Sequence, residues 1–450
     1  MNHVLSTLRS VCRSQSVLIG LLANLGLMVP GHAQTVDIAI TSIADSGPGT
    51  LRAALLRALE NTEPDYRITF SNLDGTFDQP RVIRLEQPLP IIEGRVRIDG
   101  FLPGMLWKAY GVTISGGSKF GIFEIAAGGE LRIEGLTLRD GRADRGAAIA
   151  NHGRLIAEGV SFFENHATGE GGAIFNHGAA DLINSTLAWN QATHGGALAN
   201  LAGNAHLVHV TAHENDAQHG AAVWSSGRLH LANSILSGST KLQCENQGEL
   251  SHATTHNLIH GGSRGCGEPL LLNDPKLGAL GHYNGPTQTL PVSSDSPVLN
   301  RALDAAAVDA EGRRLTWDQR GNGDPRFAAG YADLGAFERQ SHLPAEFVVN
   351  TTEDNGSRAC TRAGTSGNCP LRAALELAAR ARHPVPVHFD ADVFDTPTTL
   401  VLDEMPVDAA AAIEIDGAGA ATVTIKVPGP IPAWRLVNGV IVEASIGSRP

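Results

Sequence analysis

Aromatic side chains are scarce in this chain of 450 residues, at 5%. That excludes large aromatic-rich lobes. It suits tight turns and close backbone stacking, which the 51 glycines permit. Basic charge is also short. Lys and Arg number 34 against 46 Asp and Glu, for a net charge of −12. Nucleic acid and anionic membrane both require basic patches, so neither is expected as a partner. No P-loop, dinucleotide fingerprint, Ser/His/Asp order or CxxC pair occurs, so no cofactor and no structural zinc site is expected. Cysteine is rare too, with five residues.

What is present begins at the N-terminus. Arg9 and Arg13 precede the apolar run Val17–Val29, and Gly31, His32 and Ala33 place small residues where a leader would be cut. The pattern predicts a signal peptide over residues 1–33 and Sec-type export to the cell surface or medium. No later run approaches the roughly 20 apolar residues of a membrane span. Loss of the leader removes Cys12 and leaves Cys244, Cys266, Cys360 and Cys369. An even set in an exported chain suggests two disulfides, and proximity favours Cys244–Cys266 and Cys360–Cys369.

The middle of the chain repeats. Asn165, Asn190 and Asn215 recur at intervals of about 25 residues. Ala148, Ala173, Ala197 and Ala222 keep the same step, as do Asn151, Asn176, Asn200 and Ser225. Short β-rich pieces fill each repeat, split by Gly, Asn and His-Gly turns, and no helical apolar period lasts three turns. Two-helix repeats usually need 33 residues or more, whereas a coil of three short strands needs about 25. The expected fold is therefore all-β, a right-handed parallel β-helix. Rungs would lie about 4.8 Å apart, so each recurring residue would stack on its own copy. Asn165, Asn190 and Asn215 would form an amide ladder. Gly171, Gly172, Gly195 and Gly196 would serve corners, and Ala173, Ala197 and Ala222 would point inward beside Ile174, Leu198 and Val223.

A stack of strands must cover its open end. Thr50–Leu59 reads as an amphipathic helix, with Thr50 as N-cap and Leu51, Leu55, Ala58 and Leu59 on one face. The same pattern returns from Phe347, where Leu371 matches Leu51 and Ile415-Asp416-Gly417 matches Ile98-Asp99-Gly100. The expected divisions are residues 34–118 for the cap and first rungs, 119–240 for the repeats, 241–340 for a terminal region and 341–450 for the start of a second, incomplete unit.

Several motifs carry a family resemblance. Asn257–Ile259, Cys266, Asp274–Leu280, Asn284–Ala302, Asp318–Gly321, Asp324–Arg326 and Asp333–Glu338 together resemble the choice-of-anchor Q family of exported bacterial proteins. The segment from Phe347 resembles the CSLREA domain through Cys369–Leu375, with Pro370 and Ala373 departing from its Ser and Glu. Gly171–Ile174, Gly195–Leu198 and Phe162–Asn165 resemble the repeats of polymorphic outer-membrane autotransporter passengers. These resemblances imply a right-handed β-helix, export and surface attachment. They carry no catalytic residues to this chain.

Chemistry is sparse. Asp140, Asp144, Glu158, Glu164, Glu170, Asp181, Glu214 and Asp216 are scattered through the repeats. Glu164 and Glu214 share a rung position, but Trp189 lies between them. Asp318, Arg320, Asp324, Arg326, Asp333 and Glu338 are denser and read as Arg–acid pairing that fixes the end of the stack. Glu170, His194 and His219 fall in one column, a candidate metal site, and His152 and His177 in another. The function expected is that of a non-enzymatic surface or adhesin-like protein touching a cell-surface glycan or an envelope component. The alternative is a polysaccharide lyase or glycoside hydrolase. Stacked acids beside a lone Arg or Lys on adjacent strands would favour it.

Overall fold

The structure is a computed structural model. It describes residues 35–445 apart from 61–64, 72–74, 78, 102–110, 322, 329–330, 340–345, 354–368, 381–385, 403–412, 429 and 431–433. The expected signal peptide and Cys360 lie outside the described residues.

The chain is mostly β, and its long sheets are parallel. The first sheet stacks Thr35–Ile40, Asp65–Phe70, Arg95–Asp99, Glu130–Glu134, Arg154–Glu158, Ala179–Ile183, Asn204–Val208 and Arg228–Ala232 in chain order. The second runs from Arg81–Arg84 and Val112–Ser115 through Leu136–Arg139, Ser161–Phe163, Thr186–Ala188, Thr211–His213 and Ile235–Ser237 to Leu258–Ile259. The third holds Phe123–Ile125, Ile149–Asn151, Ile174–Asn176, Leu198–Asn200, Val223–Ser225, Cys244–Asn246 and Ser263–Arg264. Each repeat thus gives one strand to each sheet. Strands continue to Arg264, past the boundary expected at residue 240.

Alternation along each strand explains the burial. In the first sheet Ile68, Ile98, Ile133, Ala157, Leu182, Leu207 and Leu231 are partners from strand to strand, and all are buried. Each such Ile or Leu contributes roughly 1.5–3 kcal/mol by leaving water. They share one core with Ala173, Ile174, Ala197, Leu198, Ala222 and Val223.

The Asn ladder is present. Asn165 Nδ2 donates to Asn190 Oδ1 and Asn190 Nδ2 to Asn215 Oδ1, both at 2.9 Å. The same amides donate to Leu138 O and Phe162 O of a preceding strand, at 3.1 and 3.0 Å. A second ladder runs beside it. Asn151 donates to Asn176 (2.6 Å), Asn176 to Asn200 (2.7 Å) and Asn200 to Ser225 (3.0 Å). The paired glycines divide the corner's demands. Gly171 and Gly195 are left-handed, with φ of 69° and 62°. Gly172 and Gly196 are not, yet a Cβ on Gly172 would lie 2.1 Å from the Gly196 carbonyl oxygen.

Helix α1, Leu51–Glu60, covers the first strand end. Ala53 N–H donates to Thr50 Oγ1 at 3.2 Å, the expected N-cap. Leu51, Leu55 and Ala58 are buried with Ala54, while Leu59 is only half-buried, a small rotation from the expected face. Arg52 also turns inward, where it binds Asp45 at 2.6 Å and the carbonyl oxygens of Gln87 and Pro88.

The region after Cys266 folds back over the outer side of the second sheet. Thr186 Oγ1 donates to Gln319 Oε1 (2.5 Å), and Ala336 N–H donates to Thr211 Oγ1 (2.9 Å). Val292, Val298, Leu334 and Phe337 pack there on Ile235 and Leu258. A separate core gathers helix α2, Leu371–Arg380, with Phe347, Val387, Ile415 and Val423. Tyr331 belongs to that core, so packing crosses the boundary expected at residue 341. Its strands form two parallel sheets, of four and three strands.

Cys244 and Cys266 are linked, with Cα atoms 6.3 Å apart. Cys369 is also disulfide-bonded. Two outcomes are expected. Asn190→Leu strands the polar partners of its amide and should lower stability by about 1–3 kcal/mol in urea unfolding. Cys266→Ser, which opens a loop of 22 residues, should cost roughly 3 kcal/mol in the same assay.

Candidate functional site

The outer face of the first sheet carries the densest registered chemistry. Arg67, Arg97, Arg132, Ile156, Asp181, His206 and His230 follow one another from strand to strand in a single outward column. Beside it stand Asp99, Glu134 and Glu158, also in register. Alternation puts both columns on one face, because residues two apart in a strand point the same way.

The charges pair diagonally. Arg67 meets Asp99 at 2.9 Å, Arg97 meets Glu134 at 2.9 Å and Arg132 meets Glu134 at 2.6 Å. Arg132 also reaches Glu158 (3.4 Å) and Glu311 (2.7 Å), the latter from the fold-back region. Further along, Arg154 meets Asp181 at 3.1 Å, and His206 Nδ1 lies 3.2 Å from the same carboxylate. His206 and His230 then meet edge to face, with ring centres 5.5 Å apart.

Two groups in this face are strongly shifted. Burial, reinforced by Glu134 and opposed by Arg132, lifts the Glu158 carboxyl to about 7. Burial, with His206 and Arg228 nearby, lowers His230 to about 4. These shifts favour the protonated form of Glu158 and the neutral form of His230. The face combines forked Arg donors, shared carboxylates and an Asp–His contact, which suits hydrogen bonding to polar ligands along its length.

Glu170, His194 and His219 do share a column, joined by bridging backbone pairs. The His194 and His219 rings stack at 5.0 Å. Other side chains surround this candidate metal column. Glu170 turns to Arg145 at 2.7 Å, His194 packs on Trp224, and no group of three metal-ligating side chains occurs among the described residues. His152 and His177 are neighbours at 6.1 Å, and His152 lies against Phe175.

The six charged residues of the terminal motifs converge under the fold-back. Arg320 pairs with Asp318 (2.6 Å) and Asp324 (3.1 Å). Arg326 is fully buried, donates to the carbonyl oxygens of Gly335 and Ala336, and lies 3.8 Å from Glu338. His209, from the corner between the first two sheets, sits 3.2 Å from Arg326. Burial and the Arg326 charge hold His209 well below the usual imidazole range. Burial also raises Glu338 well above the usual range and Asp333 to about 6. These groups hold backbone carbonyl and amide groups together, so their role is structural.

Glu134 and His230 went unremarked in the sequence, and His206 with them. Identical residues do recur one repeat apart, Glu134 with Glu158 and His206 with His230, but each recurs only once, too short a run to mark a ladder. Only the strand register brings them together.

No protein-family model matches the chain, and no curated protein matches it.

The Glu158 shift predicts a pH dependence. Its folded pKa exceeds the unfolded value, so the folded state holds the extra proton. The stability contributed by that proton is present below about pH 4 and is lost as pH rises through about 7. Glu158→Gln should leave stability unchanged near pH 4. At pH 8 it should raise stability by about 1–2 kcal/mol, allowing for partial exposure of the side chain. Urea midpoints of both proteins across that range measure it.

Proposed function

We propose that this chain is an exported right-handed parallel β-helix protein that binds a cell surface or glycan through many registered contacts. One observation carries the reading. The outer columns repeat at rung spacing, and the acids of the first sheet that an enzyme would need are already shared among Arg67, Arg97, Arg132 and Arg154. A face of this kind offers the same kind of contact rung after rung. Weak contacts then multiply through effective concentration.

The helical winding is supported by one strand per repeat in each of three parallel sheets. Export and surface retention are supported by the N-terminal apolar segment and by the family resemblance of the terminal motifs. A disulfide suits an oxidising compartment. No described helix is long and apolar enough to cross a membrane.

A second reading has one observation in its favour. Glu134 and Glu158 are partners on adjacent strands, and Glu158 is shifted as a general acid would be. Both carboxylates are bound to Arg132, which favours the ion ladder over catalysis.

Purified full chain should bind at least one class of polysaccharide on a glycan array and release no reducing ends or unsaturated uronate from it. Turnover that disappears in Glu158→Gln would replace this reading with the hydrolase or lyase.

A further inference from the structure

The stack passes through left-handed backbone three times in every repeat, at Gly171 and Gly195 before the third sheet and at two further corners that use different residues. Between the first and second sheets the left-handed positions are Gly135, Gly159, Asn184, His209 and Asn233. Gly and Asn dominate there, as the steric cost of that conformation requires. Just after the second sheet the equivalent positions are Asp140, Glu164, Trp189, Glu214 and Gly238, with φ of 56° at Trp189. A bulky side chain at positive φ is an outlier, and such outliers gather at functional sites.

Trp189 is 40% exposed, although the chain has few aromatic residues to spend on its surface. Its indole is held in place. Nε1 donates to Glu214 Oε2 at 2.5 Å. Glu214 holds the equivalent backbone position one repeat beyond Trp189, and Glu164 the one before it. Glu164 is paired with Arg139. Glu214 has no such cation. Among the described residues its one ion-pair contact is His213, 3.9 Å away. Burial lowers the His213 pKa, which disfavours the charged imidazole beside the Glu214 carboxylate.

We propose that Trp189, with Glu214 and Glu164, forms a binding subsite for a cationic sugar, the protonated amino-sugar unit of a glycan. This deepens the glycan-binding reading given above and rests on it. The argument is charge complementarity on an aromatic platform. The C–H face of a pyranose stacks on the indole. An ammonium group on the sugar then meets both the ring's negative face and the Glu214 carboxylate, which no Lys or Arg pairs among the described residues. A neutral sugar would use the platform but not the charge. A uronate would be repelled by both glutamates.

The test is calorimetric titration of the full chain with a glucosamine hexamer and with its fully acetylated counterpart, at pH 6 and two salt concentrations. The glucosamine hexamer should bind, at least fivefold more tightly than the acetylated one, and more weakly at high salt. Trp189→Asn should reduce its affinity about tenfold. Asn tolerates the left-handed backbone, so this variant should unfold at the same urea concentration as the parent or a higher one. Glu214→Gln keeps an acceptor for the indole N–H but removes the charge. It should weaken the glucosamine hexamer about fivefold and leave the acetylated one unchanged. Equal affinity for the two hexamers, or unchanged affinity in Trp189→Asn, would overturn the subsite. If other glycans still bind both proteins equally, the subsite alone falls. If the unmodified chain binds no glycan at all, the glycan-binding reading falls with it.

Discussion

Parallel stacking imposes one rule on this molecule: a buried polar group must find its partner along the axis of the stack. Strands of a repeat hydrogen-bond only to the strands of the repeats before and after. A side chain at an inward corner therefore meets its own counterpart about 4.8 Å away. Asn satisfies this better than Ser or Asp, because it carries donor and acceptor on one planar group. Asn190 shows the consequence. Its oxygen receives the side-chain and main-chain N–H of Asn165, while its amide nitrogen serves Asn215 and the Phe162 carbonyl. A ladder of this kind penalises any slip of register by one residue, which would leave several buried groups unpaired at once.

The same rule governs the outside, with charge in place of amides. Arg67, Arg97 and Arg132 stack on one another, which would be repulsive alone. Asp99, Glu134 and Glu158 in the neighbouring column offset it by bonding diagonally. Under the fold-back the arrangement is drier. Arg326 is fully buried, yet its guanidinium faces the carbonyl oxygens of Gly335 and Ala336 and the Glu338 carboxyl. Removing one partner from such a lattice leaves an uncompensated charge out of water, which costs far more than the lattice itself contributes. That asymmetry ties the segments of the fold-back, Asp318–Arg326 and Asp333–Glu338, to one another.

Much of this was legible from residue patterns and part was not. Identical residues at a constant step marked Asn165, Asn190 and Asn215, and the same step held Asn151, Asn176 and Asn200. Thr50 and the spacing of Leu51 and Leu55 announced the first helix, because a cap and a 3.6-residue period are local signals. Nearness in the chain sufficed for Cys244 and Cys266. The Arg–acid face escaped notice for a physical reason. Its rungs are unequal in length before Gly135, so Arg67, Arg97 and Arg132 recur at no fixed step and only the pairing of strands aligns them. Long-range closure was equally hidden. Thr186 and Gln319 are separated by 133 residues, and no local pattern encodes their meeting. The Glu170, His194 and His219 column was aligned by the repeat. Position in a column says which side chains are neighbours, whereas Arg145 and Trp224 decide what those neighbours can bind.

The contrast between inner and outer columns bears on what such a scaffold is for. Inner positions must repeat, because each rung presents the same cavity to the next, and Ile149, Ile174, Leu198 and Val223 vary only within one apolar class. Outer positions are released from that demand. Along the third sheet the outward residues are Glu124, Ala150, Phe175, Ala199, Trp224, Glu245 and Arg264, in which no residue repeats its neighbour. The backbone therefore supplies a ruler of constant spacing, and the side chains on it are free to differ from rung to rung. Under the proposed glycan-binding reading, affinity for an extended partner would come from the ruler, through many weak contacts at a matched repeat. Selectivity would come from the few rungs where an exposed side chain is held by its neighbours, as Glu214 holds the Trp189 indole. A pocket enzyme concentrates its specificity at one point. On the proposed reading a stacked scaffold would distribute affinity along its length, so the loss of one rung would weaken its grip without abolishing it.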